Sequence, residues 1–288
     1  MDVIFLDYLL RLFALLSNVY PYLLTENIKD FLKSSLLKDL SPQIAAESLK
    51  LFNEYHQEYA LAQKTSNSQS SIKMLYQTIE QIDTNISGKQ RFMVLLRLLL
   101  FEKTLLRYPS DLNRETQDFS GILNFLVDKF QINETEYLNC RGFISNKLYS
   151  IPDPHKLLII AGNTNYDIGV KFHLKKNLHG QLYFLYIEST NTILFNYKGS
   201  HTVLLNNQPV FSDHIYFFTK GSSIKGENFE PVYYNETLRI FLTNEKVDLQ
   251  VDVRNLDFRF GNSNNGIHNL SLTVGSRQLI GIIGRSGV

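Results

Sequence analysis

Leu279-Ile-Gly-Ile-Ile-Gly-Arg-Ser-Gly-Val288 runs from an apolar strand-like stretch into a glycine-rich turn. The phosphate-binding pattern Gly-x-x-x-x-Gly-Lys-Ser/Thr needs such a strand before it. Gly284-Arg-Ser-Gly-Val288 supplies its opening residues. Glycines suit this task because backbone N–H groups approach a phosphate closely only where no Cβ intervenes. The lysine that reaches the β/γ-phosphates and the hydroxyl that ligates Mg²⁺ would come after Val288. The expectation is a nucleotide-driven protein of which these residues form an accessory front part, unable to hydrolyse ATP by themselves.

Working back from that stretch, Val247, Leu249, Val251 and Val253 alternate with Asp248, Gln250 and Asp252, the period of a half-buried strand. A Gly/Asn/Ser turn over 261–266 leads to Ile267-His-Asn-Leu-Ser-Leu-Thr-Val274. Residues 246–288 therefore read as two antiparallel strands followed by the strand that feeds the loop.

Upstream, residues 149–245 read as a β-domain. Short β-branched and aromatic runs, such as Leu182-Tyr-Phe-Leu-Tyr-Ile187 and Thr192-Ile-Leu-Phe-Asn-Tyr197, are separated by turns including Lys198-Gly-Ser200 and Asn206-Asn-Gln-Pro209. That spacing predicts an antiparallel sandwich or barrel. Ser150-Ile-Pro-Asp-Pro-His155 reads as the linker before it.

Residues 1–148 read as a bundle of six or seven helices. Phe92 to Phe101 is the most apolar segment, which suggests a helix buried on most sides. Tyr108-Pro109 stops it, since proline cannot continue a helix and biases the preceding residue toward extended geometry. Ser110, Asp111 and Asn113 offer N-caps for the next helix, and Lys64 to Ser71 separates two helical hairpins. The N-terminal run Met1 to Leu16 is apolar, but Asp2, Asp7 and Arg11 interrupt it. It reads as an amphipathic core helix, too short in unbroken apolar length for a span of roughly 20 residues.

Composition narrows the function. The net charge of +1 implies no bulk attraction to nucleic acid or anionic lipid, so no nucleic-acid partner is expected. Cys140 is the sole cysteine, which excludes an internal disulfide and a multi-cysteine zinc site and suits a reducing compartment. His173, His179, His201 and His214 are scattered, without metal-ligand spacing, and read as surface or packing residues. Asp111, Glu115 and Asp118 share a helix face and read as acidic residues favouring a helix N-terminus.

Three resemblances follow from these residues. Val253-Arg-Asn-Leu-Asp-Phe-Arg-Phe260, Gly266-Ile-His-Asn-Leu-Ser-Leu-Thr-Val274 and Gln278 to Val288 resemble the start of an ATP-binding cassette (ABC) domain. The resemblance implies that Phe260 stacks on adenine. It also implies that Gly284, Arg285, Ser286, Gly287 and Val288 belong to the phosphate loop, with ATP and Mg²⁺ as cofactors of the whole protein. Gly199-Ser200 leading to Asn206-Asn207, with Phe217 to Gly226, resembles a forkhead-associated (FHA) sandwich. The Gly-Arg, Ser-x-x-His and Asn elements of that family's phosphothreonine pocket are not matched, which points to a structural or protein-docking role. Arg91 to Phe101 and Lys129 to Tyr137 resemble the helical TerB type.

The fold class expected is thus multidomain: an all-α TerB-like bundle (1–148), an all-β FHA-like sandwich (149–245) and the opening strands of a P-loop ABC domain (246–288). The function implied is the regulatory front end of an ABC transporter ATPase, the cytoplasmic portion of an inner-membrane protein. Its partners would be a second cassette and a membrane-spanning domain, with a protein or phosphopeptide on the FHA-like part. The alternative is a non-enzymatic interaction module built from the TerB-like and FHA-like parts.

Overall fold

In the computed structural model, which describes residues 3–20, 25–37, 40–65, 69–105, 115–162, 170–242, 250–261, 266–275 and 281, the apolar N-terminal sequence forms helix α1 (Val3–Val19) and enters the core. Leu9, Leu12, Phe13 and Leu16 are fully buried on it. Asp7 and Arg11, the residues that interrupt the apolar run, pair with each other one turn apart at 2.8 Å. No helix among the described residues is long and apolar enough to cross a membrane.

Six more α-helices follow in the helical region. They are α2 (Thr25–Phe31), continued by a π-helical turn over Leu32–Leu36, then α3 (Pro42–Thr65), α4 (Gln69–Asn85), α5 (Gly88–Leu105), α6 (Glu115–Lys129) and α7 (Glu134–Ile144). Local chemistry fixes several starts. Pro42 opens α3, where its missing N–H costs nothing. Before α5, Ser87 and Gln90 exchange reciprocal bonds: the Ser87 N–H donates to Gln90 Oε1 (2.9 Å) and the Gln90 N–H to Ser87 Oγ (3.4 Å). Asn133 Oδ1 accepts from the Glu136 N–H at the head of α7. Helix α5 buries Phe92, Val94, Leu95, Leu96, Leu98, Leu99 and Phe101, as its unbroken apolar sequence requires. The expected stop at Tyr108-Pro109 and the caps Ser110, Asp111 and Asn113 lie outside the described residues. Glu115 and Asp118 fall in the first turn of α6.

Two sheets form the β region. One has the order β2-β1-β3-β4-β7, built from β1 (Leu157–Ala161), β2 (Lys171–Leu174), β3 (Gln181–Ile187), β4 (Thr192–Lys198) and β7 (Ile215–Phe218). The other runs β6-β5-β8-β9, from β5 (Val203–Leu205), β6 (Gln208–Pro209), β8 (Ser223–Gly226) and β9 (Val232–Tyr233). Most pairings are antiparallel, as expected, but β1 and β2 run parallel, so the larger sheet is mixed. A further departure is helix α8 (Tyr234–Leu242), inside the stretch expected to be all β. Its start carries the amphipathic run Tyr234-Asn-Glu-Thr-Leu238, short enough to pass for a strand flank. Asn206 and Asn207, at φ +50° and +67°, make the two-residue hairpin between β5 and β6.

The larger sheet is buried on both faces. Leu157, Ile159, Tyr183, Leu185, Ile187 and Leu194 belong to one apolar core with the side chains of α1 to α7. The alternate residues Leu158, Ile160, Leu182, Phe184, Ile193 and Phe195 are equally buried on the opposite face. There the rings of Phe184, Phe195 and Phe218 lie 5.5–6.0 Å apart by centroid. This explains why β3 and β4 read as continuous apolar runs rather than clean alternations. Polar contacts add to the shared core. Ser189 donates from both its N–H and its Oγ to the Glu136 carboxylate of α7, and the Asn139 side chain of α7 accepts from the Asp153 N–H. Helices and strands up to Leu238 thus form one compact unit, and Arg239–Val288 forms a second.

In the second unit β10 (Gln250–Arg259) and β11 (Gly266–Gly275) pair as an antiparallel ribbon, the arrangement expected for these stretches. Val247 and Leu249 lie outside the described residues. Two register shifts interrupt the ladder, and each carries an asparagine at φ +49°, Asn255 on β10 and Asn269 on β11. These bulges each insert one residue and so reset the alternation. Val251, Val253, Leu256 and Phe258 consequently share a face with their partners Val274, Leu272, Leu270 and Ile267. Asp252, Asp257 and Arg259 project from the other face. The ribbon is amphipathic, with Val251, Leu256 and Phe258 all more than 40% exposed on its apolar side.

Candidate functional site

Of the residues expected to touch nucleotide, Phe260 is described, while Gly284, Arg285, Ser286, Gly287 and Val288 lie outside the described residues. Phe260 follows β10 directly and is 56% exposed. Phe258 meets it edge to face, with centroids 5.1 Å apart and planes at 88°. Gly261, at φ +55°, turns the chain immediately afterwards. The Phe260 ring is therefore held by a neighbouring ring and presented at the turn of the ribbon, a disposition suited to stacking on a flat heterocycle.

A second constellation joins two stretches that look unrelated in sequence. The buried Tyr197 ring at the end of β4 directs its hydroxyl toward the carbonyls of His179 and His201, each at 3.0 Å. This single phenol ties the turn before β3 to the turn after β4, and burial raises its pKa above the ordinary phenol value. The two turns approach so closely that a side chain on Gly180, at φ +109°, would run into the Lys198 carbonyl. The imidazoles of His179 and His201 stack with centroids 4.6 Å apart and planes at 20°. Ser200 Oγ lies 3.4 Å from His201 Nδ1. Stacked imidazoles and a hydroxyl at an exposed loop end offer hydrogen bonds to a polar or anionic group. Histidines read from sequence as scattered are thus brought together here. The missing signal is tertiary, because only the β3–β4 pairing sets residues 179 and 201 side by side.

The polar groups of the helical region do a different job. Tyr55 OH donates to Asp7 Oδ1 at 2.5 Å, and Arg11 donates to both Asp7 and Tyr55. This triangle borders a cavity of about 690 Å³ lined by Leu6, Leu10, Ile44, Glu47, Ser48 and Leu51. Nearby, Ser17 Oγ sits 2.7 Å from His56 Nδ1, which looks like a nucleophile and its base. Yet Ser17 is buried, its hydroxyl also bonds the Ala14 carbonyl at 2.8 Å, and Asn18 bonds the His56 carbonyl. The cluster ties α1 to α3. Arg141 similarly bridges Glu102 and Ser120, linking α7 to α5 and α6. Burial raises the pKa of Glu102 against the opposing pull of Arg141. Cys140 is fully buried and its thiol is pushed up strongly by desolvation, so it is not a reactive nucleophile. Among the described residues no group of three or more His, Cys, Asp or Glu is placed to hold a metal ion.

The chain matches no protein-family model, no curated protein and no solved structure.

Proposed function

We propose that the chain is the accessory front part of an ABC transporter ATPase, with a TerB-type helical region, an FHA-type β region and the opening strands of the cassette. The observation that carries this reading is the ribbon. An antiparallel pair presents Phe260 at its turn, returns through Ile267-His-Asn-Leu-Ser271, and precedes the sequence Leu279 to Val288. In this reading Phe260 stacks on adenine and the backbone of Gly284 to Val288 begins the cradle for the phosphates of Mg-ATP. A lysine and a hydroxyl beyond Val288 complete it. A second cassette and a membrane-spanning domain are the partners, and the described regions lie on the cytoplasmic side of the inner membrane.

Reading the coding sequence past codon 288 tests this. Gly-Lys-Ser/Thr followed by further cassette sequence supports it, and a stop codon or a continuation without the lysine overturns it. In the protein carrying that continuation, Phe260→Ala should weaken binding of a fluorescent ATP analogue about tenfold, the scale of one lost aromatic–base stack.

One observation favours a second reading, an interaction module: the exposed His179–Ser200–His201 cluster at the loop end of the β region. Fluorescence anisotropy with a phosphothreonine peptide and its unphosphorylated twin discriminates. Binding selective for the phosphopeptide and lost in His201→Ala supports a docking role for this loop end. Equal or absent binding of the two peptides removes it.

A further inference from the structure

We propose that the outer edge of β10 is a self-association site, where two copies of the chain pair antiparallel about a twofold axis at Leu256. The inference does not rest on the nucleotide reading. Among the described residues β10 pairs with β11 alone, and no described strand lies along its other edge. A two-stranded ribbon is marginal by itself, and three or more strands with an apolar face are normally needed. Joining two ribbons edge to edge gives four strands and one continuous apolar face.

What selects a second copy, rather than any other strand, is charge. The edge reads Asp252-Val-Arg-Asn-Leu-Asp-Phe-Arg259. A twofold axis normal to a sheet sets a residue opposite its own counterpart, and its neighbours then pair symmetrically outward. Along an unbroken strand Asp252 and Arg259 would lie on opposite faces and could not meet in this way. The bulge at Asn255 absorbs one residue, since Arg254 and Asn255 together stand between Val253, paired with Leu272, and Leu256, paired with Leu270. With Leu256 on the axis, Asp257 then faces Arg254 of the second copy, Phe258 faces Val253, and Arg259 faces Asp252. Every charged position meets its opposite on the polar face, and apolar meets apolar on the other. Sliding by two positions sets Asp252 against Asp257 and Arg254 against its own counterpart in one direction, and Arg254 against Arg259 and Asp257 against its own counterpart in the other, so either slide opposes like charges. Like charges directly opposed destabilise a strand pair, so a single register is favoured. Arg254, whose side chain is 81% exposed and now bonded to Asp252 of its own strand, is free to bridge both carboxylates.

The 288-residue chain tests the proposal in sedimentation equilibrium over a range of concentrations. A concentration-dependent dimer is expected. Arg254→Asp, which sets aspartates opposite each other at two symmetric positions, should weaken it about tenfold or more. The double exchange R254D/D257R should restore it, which a merely unfolded ribbon would not do. Leu256→Cys should give a disulfide-linked dimer under mild oxidation, with the fully buried Cys140 not competing, while Val251→Cys should not. A chain monomeric at every concentration, a dimer indifferent to Arg254→Asp, a double exchange that fails to rescue, or cross-linking through position 251 instead of 256 would each overturn it.

Discussion

Two single residues show how burial sets energetics here. Desolvation, aided by the hydrogen bond to Asp7, pushes the Tyr55 phenol up to about 12 from an ordinary value of 10.0. Because the neutral phenol is favoured in the fold, its contribution is fully present below pH 10 and is lost as the pH climbs toward about 12. Tyr55→Phe should therefore cost about 1–2 kcal/mol near neutrality, and the gap from the parent should shrink across that alkaline window. Urea unfolding at pH 8 and at pH 11 measures both. Asn196 is the opposite case. It is 3% exposed in β4, on the face packed against the helices, and its Oδ1 has no hydrogen-bond partner. Replacing a buried unpaired polar group with an apolar one of similar shape removes a desolvation cost of about 1–3 kcal/mol. Asn196→Leu is expected to raise the urea midpoint, and a lowered midpoint would show that the amide is satisfied after all. Neither property could be read from sequence. Asp7 and Arg11 look like interruptions in an apolar helix, and Asn196 like one more alternation in a strand, until their neighbours from distant segments are in place.

At the scale of elements, the sequence was most legible where a pattern is local. The apolar wall of α5 and the change from helical to strand period near residue 150 both appear in the structure. Of the break expected over residues 64–71, the ends belong to α3 and α4, and residues 66–68 lie outside the described residues. Pairing was less legible. The parallel contact of β2 with β1 and the meeting of His179 with His201 depend on which edge a returning strand finds, and local alternation does not encode that. Strand β3 shows a further limit, since its continuous apolar run is ambiguous until both covering layers are known. Leu185 faces the helices and Phe184 the opposite side, and both are fully buried. Leu185→Ala and Phe184→Ala should thus each cost about 2–5 kcal/mol, whereas a half-buried strand would tolerate one of two neighbours. Thermal melts of the two variants decide it. For the nucleotide loop, sequence remains the whole case, because only Phe260 among its expected residues is described.

For the molecule as a whole, the helices and the larger sheet share one core from Phe5 to Leu194. A shared core ties the stabilities of its parts together. Residues 1–238 should accordingly unfold in one cooperative step, with helical circular dichroism and the near-ultraviolet tyrosine signal changing at the same denaturant concentration. Two separated transitions would show that helices and sheets hold themselves together independently. The change in secondary structure near residue 150 marks a boundary of period, and the packing runs across it.

That sheet, walled on both sides, also constrains the history open to this protein. A gene recombined at the helix–strand junction would hand one descendant helices without their floor and the other a sheet with Leu157, Tyr183 and Leu185 turned to water. Neither product would be viable, so the two regions are expected to have been inherited together, and to have diverged by paired changes on either side of β3.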